Sequence, residues 1–237
     1  MPAQSRTCTV RNAEWQLNIL GLAVNRVPLL IAVTHYRLRP PLSKHDQKAL
    51  ILDEARTLFL ESGEKGLSMR KLAASIGVTP ASIYWHFKNK EELLGEIFLE
   101  GVETFARYVN RALTGHDPLH RLRLCAESFL AFGLEQPSHY DVFFLVKKPQ
   151  VSDAVLNQFT SLRQGAFQVL VDRVRECHSV GLLRQDINIE RTAMLLLASS
   201  QGMMSMYRNS RLGDNEEHFI QIYRNTYDTT EALLLAQ

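Results

Sequence analysis

Apolar residues return every three to four positions through most of the chain beyond residue 43, and polar punctuation cuts that pattern into helices. The first stripe, Leu50, Ile51, Ala55, Leu58 and Phe59, lies between a cap at Ser43 and a stop at Gly63, and predicts a helix over 44–63 with one face buried. Met69, Leu72, Ala73 and Ile76 form a second, shorter stripe behind the N-cap candidate Ser68, and Gly77 ends it. A third helix starts at once. Thr79 can cap it, Pro80 takes the first helical position, where its missing N–H costs nothing, and Ile83 and Phe87 supply its buried side. Asn89 caps a fourth helix, with Glu92 three residues on to complete a capping box. Leu93, Leu94, Ile97, Phe98, Val102, Phe105, Val109 and Leu113 then keep one period until Gly115-His116-Asp117-Pro118 breaks it, so the fourth helix reads as a rod from Lys90 to about Leu113. Gly101 within it either weakens the rod or lets another helix approach closely.

Five more helices follow, over 119–136, 138–146, 152–180, 188–208 and 215–236. Gln136-Pro137, Lys148-Pro149, Gly181 and Leu212-Gly213-Asp214 separate them, with Ser138, Ser152 and Asn188 as caps. No strand signal competes, so the expected fold class is all-α. Residues 44–94 form a three-helix, homeodomain-like helix-turn-helix domain, 95–237 a larger helical domain, and 1–43 an N-terminal extension.

Charge singles out one stretch. The chain carries 27 Lys and Arg against 25 Asp and Glu, a net of +2, yet Lys65, Arg70, Lys71, Lys88 and Lys90 occur with no carboxylate among them from 65 to 90. A local basic surface on a nearly neutral protein is a place where phosphates dock. Charge alone would favour a solvated helical face; the caps and the tight turn together with it reverse that in favour of the DNA reading.

The run from Leu72 to Leu94, LAASIGVTPASIYWHFKNKEELL, resembles the DNA-binding domain of the tetracycline-repressor (TetR) family, most specifically in IYWHFKNKEELL from Ile83 onward. The resemblance covers 44–94. It implies a sequence-specific transcriptional regulator that places the Thr79–Phe87 helix in a major groove, most simply a repressor released by a small molecule. Thr79 and Ser82 suit base or phosphate contacts, and Ala81 can touch a thymine methyl. Tyr84, His86 and Lys90 match family positions that hold phosphates, and Trp85 can pack on sugar. Lys44, Ser68, Arg70 and Pro80 complete the expected DNA surface.

What the resemblance implies for 95–237 is an effector-binding and dimerisation domain. Phe132, Tyr140, Phe144, Phe167, Met203 and Tyr207 are candidate apolar walls of a ligand pocket, with Gln168 and Gln201 as polar contacts; cores draw on the same residue types, so no more than half are expected to line it. Ala193, Leu196, Leu197, Ser200 and Met204, with Phe219, Ile222, Tyr223, Thr226, Thr230 and Leu233, form stripes expected to pair with a second copy across a two-fold axis, although ordinary core is the favoured reading for any single one of them. Glu127 to Leu145 resembles a C-terminal subclass named for a Trp-His-Gly motif, but this chain has Leu197, Gln201 and Gly202 at the motif, and only the Gly matches.

Residues 1–43 hold Arg6, Arg11, Arg26, Arg37 and Arg39 against the single acid Glu14. Their apolar runs, 17–24 and 27–33, fall short of a membrane span. A signal peptide, a basic arm for the minor groove, and a start codon assigned too far upstream compete for this segment, and the last is preferred. Cys8, Cys125 and Cys177 are odd in number with no CxxC spacing, which fits a reducing cytoplasm and neither a disulfide framework nor a zinc ribbon. His116 and His120 flank Pro118 and read as a loop and helix start. No nucleophile elbow, phosphate loop or HExxH occurs, so neither catalytic residues, a metal nor a cofactor is expected. The expected partners are an operator in double-stranded DNA, a small-molecule effector and a second copy of the chain, with no membrane. The competing reading from another class is a helical small-molecule-binding or partner-binding protein whose DNA domain is vestigial.

Overall fold

Three caps that the sequence signals organise the N-terminal part of the computed structural model, which describes residues 44–147 and 150–236. Helix α1 (Lys44–Gly66) is interrupted at Gly63, whose φ of 65° is the left-handed conformation that glycine adopts without strain. In α2 (Met69–Ser75) the Ser68 hydroxyl accepts from the Lys71 N–H, and in α3 (Pro80–His86) the Thr79 hydroxyl accepts from Ser82 N–H. Asn89 Oδ1 accepts from Glu92 N–H at 2.8 Å to start α4 (Lys90–Val109). The return bond of the expected box differs. The Glu92 carboxylate takes the Lys88 N–H at 2.6 Å, one residue earlier than the usual partner.

Around these caps the first core closes: Ile51, Ala55, Phe59, Leu72, Ile83 and Phe87 meet Leu94, Ile97 and Phe98 of α4. Leu50, expected in this core, is 40% exposed, because Ile51, Ala55 and Leu58 already fill the inner face of α1. The fourth helix also ends sooner than its apolar period. A 3₁₀ turn (Asn110–Thr114) tightens its last residues and turns Leu113 to solvent, 54% exposed.

Helix α5 (Pro118–Glu135) is capped by Asp117, whose carboxylate accepts from His120 N–H at 2.8 Å. Where one helix was expected over 138–146, the chain makes a single α turn, α6 (Pro137–Tyr140), and then a π-helical turn (Asp141–Leu145); Ser138 lies inside α6 and caps nothing. Helices α7 (Asp153–Ser179), α8 (Ile189–Arg208) and α9 (Glu216–Leu234) complete the chain, capped by Ser152, Asn188 and Asn215. No strand occurs among the described residues; Leu183 and Leu235 form an isolated bridge. Two further cores lie here. One gathers Phe105, Phe129, Phe132, Tyr140, Met204 and Phe219, the other Leu122, Val171, Val174, Leu183 and Ala193.

The close approach at Gly101 is to α6 and the π turn: a β-carbon there would lie 3.4 Å from the His139 carbonyl oxygen of α6 and 3.7 Å from Phe143 Cβ of the π turn. The readings for residues 1–43 lie outside the described residues.

Phe132 is fully buried among Phe105, Tyr108 and Tyr140. Phe132→Ala is therefore expected to lower stability by about 3–5 kcal/mol in urea unfolding. A loss under about 1 kcal/mol would mean that this ring is not a core member.

Candidate nucleic-acid interface and ligand cavity

Reader helix α3 has seven residues, too few to hold its shape alone. Its orientation comes from anchors on both sides. Ile83 and Phe87 are fully buried, Lys48 of α1 lies 5.4 Å over the Phe87 ring, and His86 Nε2 stands 3.2 Å from Gln47 Oε1. Lys48 also pairs with Glu96 of α4 at 2.6 Å. The outer face carries Ala81, Tyr84 and Trp85, with Thr79 and Pro80 exposed at its start. Tyr84 and Trp85 are 52% and 59% exposed, an unusual position for two large aromatic rings on a short helix. The Trp85 ring meets His86 edge-on at 4.8 Å.

The expected DNA surface separates into two groups. Thr79, Ala81, Tyr84 and Trp85 stand on one open face, and Ser68 and Arg70 are exposed at the start of α2. Ser82 is half-buried with its hydroxyl 3.0 Å from Thr79 Oγ1, so these two groups act together. His86 and Lys90 turn partly inward. His86 reaches Gln47, and the Lys90 ammonium donates to the Glu64 carbonyl, fastening the start of α4 to the Gly63 turn. An ammonium has three donors, so Lys90 keeps two for a phosphate. Lys44 opens α1. The sequence did not single out Gln47 and Lys48, whose contacts arise only when α1 crosses α3.

Behind this interface lies a cavity of about 370 Å³, within the ordinary range for a small-molecule site. α4 supplies Phe105 and Val109, α5 supplies Cys125 and Phe129, and the π turn supplies Phe143 and Phe144. Arg163 and Phe167 come from α7, Leu197, Ser200 and Gln201 from α8, and Tyr227 from α9. Of the eight expected pocket residues, Phe144, Phe167 and Gln201 line it. Phe132 and Tyr140 are instead core, each fully buried. Gln168 points along α7 to Asp172 at 2.9 Å, Tyr207 stacks on Phe219 with ring centroids 4.1 Å apart, and Met203 faces a narrow groove between α8 and α9. Arg163, Phe105 and Phe129 were missed: the first looks like any surface arginine, the others like core periodicity.

Burial pushes the Cys125 thiol up to about 12, outweighing the nearby Arg173 charge, so a neutral sulfur faces the cavity. Cys125 and Cys177 are both buried and free. His116 and His120 lie with ring centroids 4.2 Å apart, and no cluster of three potential metal ligands occurs among the described residues. No helix there is long and apolar enough to cross a membrane.

The expected pairing stripes need correction. Ala193, Leu196, Ser200, Met204, Phe219 and Tyr223 are buried within the chain, since α8 packs against α5, α7 and α9. Ile222, Thr226 and Thr230 are half-buried, and Leu233 is exposed. The outward side of α8 carries Met194, Leu195, Ala198, Gly202 and Met206 instead.

A helix-turn-helix with an exposed aromatic and hydroxyl-bearing reader, basic flanks and a helical body enclosing a cavity defines a DNA-binding regulator of the ligand-responsive, all-helical kind. Comparisons with known proteins agree: the family described as "Bacterial regulatory proteins, tetR family" matches residues 51–97, and "Tetracyclin repressor-like, C-terminal domain" matches 122–226. The chain belongs to the TetR family of transcriptional regulators. It is 27% identical over 160 residues to the transcriptional regulator UidR of Escherichia coli K12, covering 65% of this chain and 78% of that one. It is 29% identical over 153 residues to the transcriptional repressor KstR2 of Mycolicibacterium smegmatis, covering 63% of this chain and 72% of that one. A tetR-family regulatory protein from Rhodococcus RHA1 shares the fold, with a TM-score of 0.68, 19% identity, and coverage of 83% of this chain and all of that one.

Tyr84 is exposed and supports no core, so Tyr84→Ala should leave stability within about 0.5 kcal/mol of the parent. It is expected to weaken operator binding about tenfold, the loss of one strong hydrogen bond to a phosphate. Fluorescence anisotropy on an operator duplex over a salt series checks this, and an unchanged affinity and salt slope would remove Tyr84 from the interface.

Proposed function

We propose that the chain is a homodimeric repressor that binds a two-fold-symmetric operator through paired α3 helices and leaves it when a small molecule fills the cavity. Thr79, Ala81 and Ser82 read base edges or adjacent phosphates, Tyr84 and Lys90 hold the backbone, and Trp85 packs on sugar. Each reader occupies a major groove about 34 Å from its partner, one turn of DNA, so small rotations of one body spoil the match. The chain pairs through the outward side of α8 and the adjoining side of α9, where Leu195 and Leu233 are 54% and 70% exposed. KstR2 of Mycolicibacterium smegmatis is itself a repressor, which favours repression here.

One observation carries the reading: α4 belongs to the reader at one end and to the cavity at the other. Leu94, Ile97 and Phe98 are packed in the first core, while Phe105 and Val109 line the cavity. A row of rings runs the same way, Phe59 to Phe98 at 5.8 Å, Phe98 to Phe159 at 6.2 Å, Phe159 to Phe143 at 5.7 Å and Phe143 to Phe105 at 5.4 Å. The π turn joins both sides, with Phe143 and Phe144 on the cavity and Val142 in the first core. A ligand that displaces Phe143 or Phe144 therefore moves a turn seated against α4 and the reader's core. Packed interiors transmit such displacements because they hardly compress.

An ionic cluster crosses the same junction. Arg56 of α1 pairs with Glu100 of α4 at 2.9 Å, and His139 of α6 lies 3.7 Å from the same carboxylate. Burial pushes the Glu100 carboxyl up, but His139 and the Arg56 guanidinium outweigh it and hold the group below its ordinary value of 4.5. A carboxyl lowered on folding stabilises the fold above its unfolded value, and that stabilisation is lost as pH falls through the folded one. The stability gap between the parent and Glu100→Gln is thus expected to be present at pH 7 and to shrink as pH drops below 4.5 in urea unfolding. A gap constant with pH would mean that the carboxylate charge contributes nothing.

The test of function is to mix the purified chain with sheared DNA of its source organism at about 150 mM salt, where non-specific binding is weak, and to sequence what it retains. Fragments sharing a two-fold-symmetric site are expected. In sedimentation, Leu195→Glu is expected to give a monomer that retains none of them. A folded dimer that enriches no fragment, with or without cell extract, would favour the vestigial reading instead.

A further inference from the structure

Among the described residues that line the cavity, only Arg163 carries a charge, and no aspartate or glutamate is among them. Arg163 precedes Ala166 and Phe167 by three and four residues on α7, so its stem shares their cavity-facing side while its head stays exposed. No ion pair among the described residues includes it, and the positions three and four before it are Phe159 and Thr160. Arg107, Arg191 and Arg211 of the helical body likewise enter no ion pair among the described residues, but none of them lines the cavity. Arg121, Arg123, Arg184, Arg208 and Arg224 each hold a carboxylate. A guanidinium keeps its charge at any relevant pH and offers a planar fork that matches one carboxylate through two parallel bonds.

The rest of the lining is apolar apart from Ser200, Gln201, the neutral Cys125 thiol and Tyr227, whose hydroxyl is buried. A ligand that satisfies these walls brings an apolar body and a single negative end. We propose that the cavity takes a free carboxylic acid with an apolar body, its carboxylate held by Arg163 and its chain or ring system lying among Phe105, Phe129, Phe144 and Phe167. This rests on reading the cavity as the effector site. The acid-binding arginine and the π turn belong to one lining, so the bound acid bears on the turn that joins the cavity to the reader.

Isothermal titration calorimetry of the full chain at pH 7 with hexanoate, octanoate, decanoate and dodecanoate, and with the alcohols and methyl esters of equal length, tests the proposal. The acids are expected to bind about fourfold tighter for each added methylene until the cavity is full. Alcohols and esters of equal length should bind about tenfold more weakly, for want of the charge-assisted bonds. Arg163→Gln should bring the acids down to the alcohols while preserving the dependence on length, and Arg163→Lys should restore part of the difference. Acids and alcohols binding alike, an undiminished preference in Arg163→Gln, or binding of coenzyme A thioesters alone would overturn the assignment. Running the DNA selection beside it separates the two readings. A retained site with no acid bound in calorimetry contradicts this inference alone, whereas acid binding with no retained DNA upholds it and contradicts the regulator reading.

Discussion

Everything in this chain that concerns DNA depends on the burial of one helix in two cores. α4 gives Leu93, Leu94, Ile97 and Phe98 to the reader's core and Phe105, Tyr108 and Val109 to the aromatic core behind it. Each such side chain contributes about 1.5–3 kcal/mol when fully buried, so neither end separates from its neighbours without a loss comparable to the stability of a domain. Glycines mark two close approaches. A β-carbon at Gly95 would lie 3.1 Å from a Val155 methyl, and one at Gly101 would touch the π turn. The cheapest motion left to α4 is to swing as a body with whatever is packed on it.

That constraint explains how a seven-residue reader can serve as a precise surface. Its cap is local, from Thr79 to Ser82, while its two buried side chains and its contacts to Gln47 and Lys48 fix it to α1 and α4. The reader thus carries little conformational freedom of its own, and its position follows the rod. The π turn is where the cavity meets that constraint. Its wider winding places Val142 in one core and Phe143 and Phe144 beside the cavity within three consecutive residues.

Local chemistry made much of this legible in the sequence. Ser68, Thr79, Asn89, Ser152 and Asn188 cap the helices they were expected to cap, because capping needs only a short polar side chain ahead of an apolar stripe. Contacts between distant elements were not legible. The Lys90 bond to the Glu64 carbonyl, the His86 contact to Gln47 and the core position of Phe132 all depend on how helices cross. The same holds for α8. Its period correctly identified a buried face, but only the packing of α5, α7 and α9 decides that this face is internal and that Leu195 points outward. Arg163 gave no local signal, since an exposed arginine on a helix is ordinary until the cavity beside it is known.

The coupling of cavity to reader through α4 is tested most directly at Gly101, which does not itself line the cavity and packs against the π turn that does. The measurement is operator affinity of Gly101→Ala and Gly101→Ile, with folding and dimerisation checked by urea unfolding and sedimentation. An alanine β-carbon fits at ordinary contact distance, so that variant should bind like the parent. The isoleucine must push the π turn from the rod, and should lose about tenfold or more in operator affinity while remaining folded and dimeric. A folded, dimeric Gly101→Ile chain that binds its operator as tightly as the parent would contradict the coupling.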